Sequence, residues 1–236
     1  MNILIDWPAG FCRTPARRTR RAVLASVAVA LAATAILVIL PSDAFAAAKL
    51  VPAVLNDAQR ADVARVEAYL NAIRTLRAKF LQVAENGATA EGDLLLSRPG
   101  LMRIDYDPPS PHLIVADGAF LIYHEKKLNQ TSHIPLSSSL AGFLLRDAIK
   151  LAGDVTLTRF EQERGVIRLS LVKTDDAEAG QLTLVLSDGP LQLRQWTVTD
   201  GQGGTTRITL INSEFGVALD RALFAFTPPP RDRQDR

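Results

Sequence analysis

The stretch LLLSRPGLMRIDYDPPSPHLIVADGAFLIYH, Leu94–His124, decides the fold. Leu94 and Leu96 fall on one side of an extended chain and Leu95 and Ser97 on the other, because successive side chains of a strand point to opposite faces. Arg98-Pro99-Gly100 then breaks the run as a turn. Beyond it, Met102, Ile104 and Tyr106 share the face opposite Leu101, Arg103 and Asp105. A second break at Asp117-Gly118 separates LIVAD from AFLIYH. Strands joined this tightly pair antiparallel.

The same punctuation continues outward. Asn86-Gly87, Asp188-Gly189, Asp200-Gly201 and Gly203-Gly204 bound further period-two segments. The spacing predicts eleven strands, near 78–84, 88–97, 101–106, 112–117, 120–125, 127–131, 154–161, 165–173, 181–187, 191–199 and 204–213. Ahead of them, Asn56 and Asp57 are N-cap candidates for a helix whose apolar face is Val63, Val66, Leu70, Ile73 and Leu76. Arg60, Asp62, Arg65, Glu67 and Arg74 occupy its polar face. PLSSSLAGFLLRDAIKLAGD interrupts the strands. There Ser137–Ser139 offer a cap, Leu140, Phe143, Leu144 and Ile149 are the apolar positions of one or two short helices, and Gly153 is a stop. The economical assembly is mainly β: one curved antiparallel sheet, with helices covering its concave apolar side.

The N-terminus is of another kind. Arg17, Arg18, Arg20 and Arg21 precede an apolar run from Ala22 to Leu40, then Pro41 and Ala44-Phe45-Ala46, the order of an export signal. The expected division is a signal over 1–46, a folded domain over 47–230 starting near Ala47, and a disordered charged tail over 231–236. The apolar run is long enough to span a bilayer, so an uncleaved anchor stays open, as does a twin-arginine route. Removing 1–46 takes five arginines and two aspartates and leaves 22 basic against 23 acidic side chains. Net charge therefore gives no reason to expect nucleic acid or an anionic membrane as partner. The only cysteine, Cys12, leaves with the signal, which excludes a disulfide, a thiolate metal site and a lipid-attachment cysteine in the exported chain.

Catalytic equipment is sparse. His112, His124 and His133 have no metal-ligand spacing and read as surface or strand-end residues. GQGGTT, 201–206, lacks a lysine and lies between strands, so it reads as a hairpin turn and not a phosphate loop. Asp105 with Asp107, and Asp175 with Asp176, read as solvated loop charges. No Gly-x-Ser-x-Gly elbow occurs. No cofactor or metal is expected, and an enzyme is the weakest reading.

Arg98 follows Leu94 and Leu96 on their face, which puts a guanidinium at the rim of the concave side. It must either reach water or donate to carbonyls brought by another element, since an unpartnered buried cation is costly. Pattern alone leaves both open. FLQ at Phe80–Gln82, GDLLLSRPGLMRIDYDPP, LIVADGAFLIYH, IPLSSSLAGFLL and the terminal FAFTPPP occur in order, and with them the chain resembles the periplasmic outer-membrane lipoprotein carrier family, LolA. That resemblance implies an incomplete antiparallel β-barrel of about eleven strands with a helical lid over a hydrophobic cavity. It implies a monomeric periplasmic chaperone that takes acylated lipoproteins from an inner-membrane ABC transporter and passes them to an outer-membrane receptor. It places the lid latch, which hydrogen-bonds lid backbone in the empty carrier, on Arg98. The acyl-chain cavity would fall to Leu94, Leu96, Met102, Ile104 and Tyr106, and the lid to Leu140, Phe143, Leu144 and Ile149. This chain departs from the family in its few aromatics, its long N-terminal extension and a loosely matching lid.

Energetics fit a latch. Burying a methylene gains roughly 0.8 kcal/mol, so enclosing an acyl chain of about 16 carbons gains on the order of 12 kcal/mol. A carrier that gained this several times over would not release its cargo. Closure that competes with cargo weakens loading. A binding protein or sensor for free lipids or glycolipids on the same scaffold is the other reading, and a structural module with a filled core is a third.

Overall fold

The computed structural model describes residues 50–227, apart from the side chains of Ser138, Leu140 and Ala141. The expected signal, the start near Ala47, residues 228–230 and the expected tail lie outside the described residues.

Asn56 opens α1, Asp57–Ala72, with a capping box: its side chain accepts from Gln59 N at 2.9 Å, and the Gln59 side chain accepts from Asn56 N at 3.0 Å. Val66 and Leu70 bury the inner face of the helix completely. The helix ends at Ala72, and Leu76 belongs to the first strand, although its spacing from Leu70 and Ile73 also suits a helix. The strands are β1 Thr75–Ala84, β2 Thr89–Ser97, β3 Leu101–Tyr106, β4 His112–Asp117, β5 Phe120–Glu125 and β6 Gln130–Pro135. After the lid come β7 Val155–Glu163, β8 Val166–Lys173, β9 Gly180–Asp188, β10 Leu191–Asp200 and β11 Thr205–Phe215. The expected 127–131 strand thus sits later, at Gln130–Pro135, because Asn129 takes a positive φ of 50° in the turn before it.

All eleven form one antiparallel sheet in the order β6-β5-β4-β3-β2-β1-β11-β10-β9-β8-β7. Two meanders are fused through β1 and β11, and the sheet ends at β6 and β7. Registers line up side chains across the inner face. Leu76, Leu96, Met102, Ala116, Leu121 and Ile134 are successive partners from β1 to β6. Val198, Leu182, Leu171 and Leu157 do the same from β10 to β7. These rows, with Val66 and Leu70 of α1, belong to one core cluster. A second, small cluster of Leu113, Val115 and Ile122 lies on the outer face, with Phe226 against it.

The chain that leads from edge strand β6 to edge strand β7 forms a 3-10 turn, Leu136–Ser138, then α2, Leu140–Leu144, then an irregular stretch to Asp154. Ser139 caps α2 by accepting from Gly142 N at 3.1 Å. Gly142 is required: a Cβ there would lie 2.2 Å from the Leu136 carbonyl oxygen. α2 is shorter than the expected lid helix, and Ile149 lies beyond it in the irregular stretch.

Candidate functional site

Arg98 continues directly from β2, and its backbone N–H donates to Arg74 O at 2.8 Å. Its side chain turns inward and is only 8 % exposed. Nε donates to Leu144 O at 2.7 Å, and NH1 donates to Leu70 O. Both acceptors are carbonyls in the last turn of a helix, Leu70 in α1 and Leu144 in α2, at the negative end of the helix dipole; Leu70 O also accepts from the cap Ile73 N at 3.3 Å. A guanidinium can therefore be buried without a carboxylate. Burial, and after it the nearby positive charge of Arg74, lowers its pKa to about 10, so it keeps its proton at neutral pH. The turn adds a second tie, Gly100 N donating to Leu145 O at 2.8 Å. Gly100 has a φ of +79°, and a Cβ there would lie 2.8 Å from Gly118 Cα, so the β2–β3 and β4–β5 turns touch at this point.

Beneath these ties lies a cavity. Leu94, Leu96, Met102 and Ile104 form one wall with Leu76 of β1, Ile73 at the end of α1 adds to it, and Leu144 comes from the lid. Leu182, Leu193, Trp196, Val198 and Ile208 form the opposite wall. The cavity is small, about 40 Å³. That is room for a few waters, well below the roughly 300–1,000 Å³ of pockets that enclose small ligands. The described state is closed, and a chain of methylenes can enter only if the lid yields.

Four of the five residues expected at the cavity line it. Tyr106 does not: it is buried against Phe80, ring centroids 5.1 Å apart, and donates to Gln82 Oε1 at 2.7 Å. A phenol in this position needs an acceptor, and the β1 glutamine supplies it. In the lid, Leu144 lines the cavity, while Phe143 and Ile149 are buried in the core without lining it. The Arg146 guanidinium covers the Phe143 ring at 5.2 Å and pairs with Asp154 at 2.6 Å. Leu140 begins α2, and its side chain lies outside the described residues. The second wall went unread in the sequence, although the alternation through Leu182, Leu184 and Leu186 marks a face of that kind.

The histidines correct the surface reading in part. His133 is exposed, but His112 and His124 are buried. His112 Nδ1 lies 2.5 Å from the Tyr123 hydroxyl and 2.9 Å from Glu125 Oε2. Burial lowers the His112 pKa, with Glu125 opposing. Asp105 is held by Lys126 at 2.6 Å and Arg103 at 3.1 Å. Among the described residues no group of three or more His, Cys, Asp or Glu side chains could hold a metal ion, and no helix is long and apolar enough to cross a membrane.

The profile of the family described as "Outer membrane lipoprotein carrier protein LolA" matches residues 71–227. An outer-membrane lipoprotein carrier protein of Methylococcus capsulatus is 29% identical over 182 residues, 74% of this chain and 87% of that one. One of Dechloromonas aromatica is 30% identical over 170 residues, 68% of this chain and 81% of that one. Among solved structures, a LolA superfamily protein from Nitrosomonas europaea aligns with a TM-score of 0.41 at 12% identity, over 70% of this chain and 97% of that one.

Proposed function

From the premise that this chain belongs to the outer-membrane lipoprotein carrier family, LolA, we propose that it shields lipoprotein acyl chains in the periplasm and delivers them to the outer membrane. The family is one of non-catalytic carriers, and a general lipoprotein-carrier role follows from membership. The finer steps are our reading: uptake from an inner-membrane ABC transporter, passage as a soluble monomer after removal of residues 1–46, and transfer to an outer-membrane receptor.

The observation that carries the reading is the join between Arg98 and the cavity. One buried guanidinium ties the lid carbonyl of Leu144 to the α1 carbonyl of Leu70, directly above an apolar cavity that is almost shut. A pocket without polar side chains suits hydrocarbon and gives no grip for an ionic substrate. The closed state must lose those bonds before it can enclose a chain, so closure energy subtracts from cargo affinity. Transfer onward is then assisted by the lid's return to its bonds with Arg98.

Mass spectrometry under native conditions, on protein isolated from periplasm, tests the proposal. Acylated polypeptides bound at the cavity are the expected result. Free lipid or glycolipid alone would overturn it in favour of a lipid-binding protein on the same scaffold.

A further inference from the structure

The irregular stretch that follows α2 is held by a second set of contacts, independent of Arg98. Glu67 and Asn71 lie four residues apart on one face of α1, and Arg74 follows two residues beyond the helix end. The Asn71 amide both donates to Ile149 O at 2.8 Å and accepts from Ile149 N at 2.8 Å, imitating a strand partner. Glu67 Oε2 accepts from Leu151 N at 2.8 Å. Arg74 donates to Asp147 O at 3.0 Å and pairs with its carboxylate at 2.6 Å. Backbone groups of Asp147, Ile149 and Leu151 are therefore satisfied by side chains of α1 and of Arg74 just beyond it, and Ile149 and Leu151 are buried.

α1 itself is fixed to the sheet. Val66 and Leu70 are fully buried, Arg65 pairs with Asp188 of β9 at 2.7 Å, and the Tyr69 hydroxyl accepts from Leu193 N of β10 at 3.0 Å. That last bond falls where the β9–β10 register shifts between Leu193 and Gln195. By contrast, Leu136–Arg146 is tied to the rest of the fold by few bonds: Leu136 N to Ala119 O, Leu145 O from Gly100 N, Leu144 O from Arg98, and the largely exposed pair of Arg146 with Asp154.

We infer that Glu67 and Asn71 form a clip that anchors residues 147–151 to α1, so that the mouth opens by movement of Leu136–Arg146 alone. This deepens the carrier reading and relies on it only for what enters; the division into clip and flap rests on the bonds. Breaking Arg98 away frees the flap, while the clip keeps its far end in place and lets it close again in register.

Hydrogen exchange of single amides separates the two parts. Gly100 N–H reports the flap, and Ile149 and Leu151 N–H report the clip. In Arg98→Leu without ligand, Gly100 is expected to exchange about tenfold faster, with Ile149 and Leu151 unchanged. In Asn71→Ala the order reverses: Ile149 exchanges about five- to tenfold faster and Gly100 stays protected. Joint acceleration of all three amides in either variant, or no change at Ile149 in Asn71→Ala, overturns the clip. Adding a palmitoylated peptide to the parent protein then tests the carrier reading separately. Faster exchange at Gly100 alone is expected, and no response to the peptide would count against the carrier while the ligand-free result still judges the clip.

Discussion

Trp196 of β10 and Leu144 of the lid line the same cavity. Trp196 is the only tryptophan among the described residues, the other being Trp7 in the expected signal. Its fluorescence therefore reports whether the lid is shut. In Arg98→Leu purified without residues 1–46, Trp196 should become more accessible to acrylamide and be shielded again by a palmitoylated peptide. The same variant should still accept lipoprotein but deliver less of it to purified receptor. Quenching unchanged from the parent, with normal delivery, would remove the latch role.

Arg98 should stay protonated in the physiological range. Arg98 loses its proton more readily folded than unfolded, so its own contribution to stability changes only from about pH 10 upward, where it rises with pH. Lysine starts near about 10.4, and the same burial brings Arg98→Lys toward the mildly alkaline range. Between about pH 7 and about pH 9.5 the lysine variant should therefore lose affinity for an acylated peptide, because a side chain whose pKa is lowered by burial favours the closed, buried state as it neutralises, while the parent stays flat. Parallel titrations for both proteins would contradict this.

Cavity walls should tolerate truncation better than the packed core. Leu169 is fully buried and away from the cavity, so Leu169→Ala should cost about 4 kcal/mol in urea unfolding. Leu96 already faces free space, and Leu96→Ala should cost about 2 kcal/mol. Equal losses would mean that the cavity is filled in solution.

Acid should weaken the fold through His112. Its folded pKa is lowered by burial, so the unfolded chain takes up the proton first as pH falls below about 6.5. Stability is full above that value and declines as pH falls toward the lower, folded one. Glu125 favours the charged form, while Lys126 and Lys127 oppose it. His112→Gln should therefore lose less in urea midpoint between about pH 7.5 and about pH 5.5 than the parent does. An equally steep loss would place the acid sensitivity elsewhere.

Strand faces were legible because a period of two, broken by Gly and Asp-Gly turns, leaves little choice of face. Arg98 was legible only as a dilemma, and the two helix-end carbonyls that resolve it come from residues 28 and 46 positions away. Leu76 could be read into α1 because Ala72 is followed by neither Gly nor Pro, and a leucine suits either element. Asn71 and Glu67 look like ordinary outward polar residues of a helix. Their partners are backbone groups 78 and 84 residues further on, which no local pattern encodes. Alternation puts Tyr106 on the same face as Met102 and Ile104 but cannot see the Gln82 carbonyl that accepts from its hydroxyl.

The sheet's two margins, β6 and β7, are joined by the very segment that covers the opening. Such a cover has no loose end: widening the gap must draw on the length of chain between Pro135 and the anchored stretch at Asp147. Each added residue contributes at most about 3.5 Å of reach. Under the proposed carrier reading, lengthening this span should admit bulkier hydrocarbon and trimming it should restrict the protein to slimmer loads.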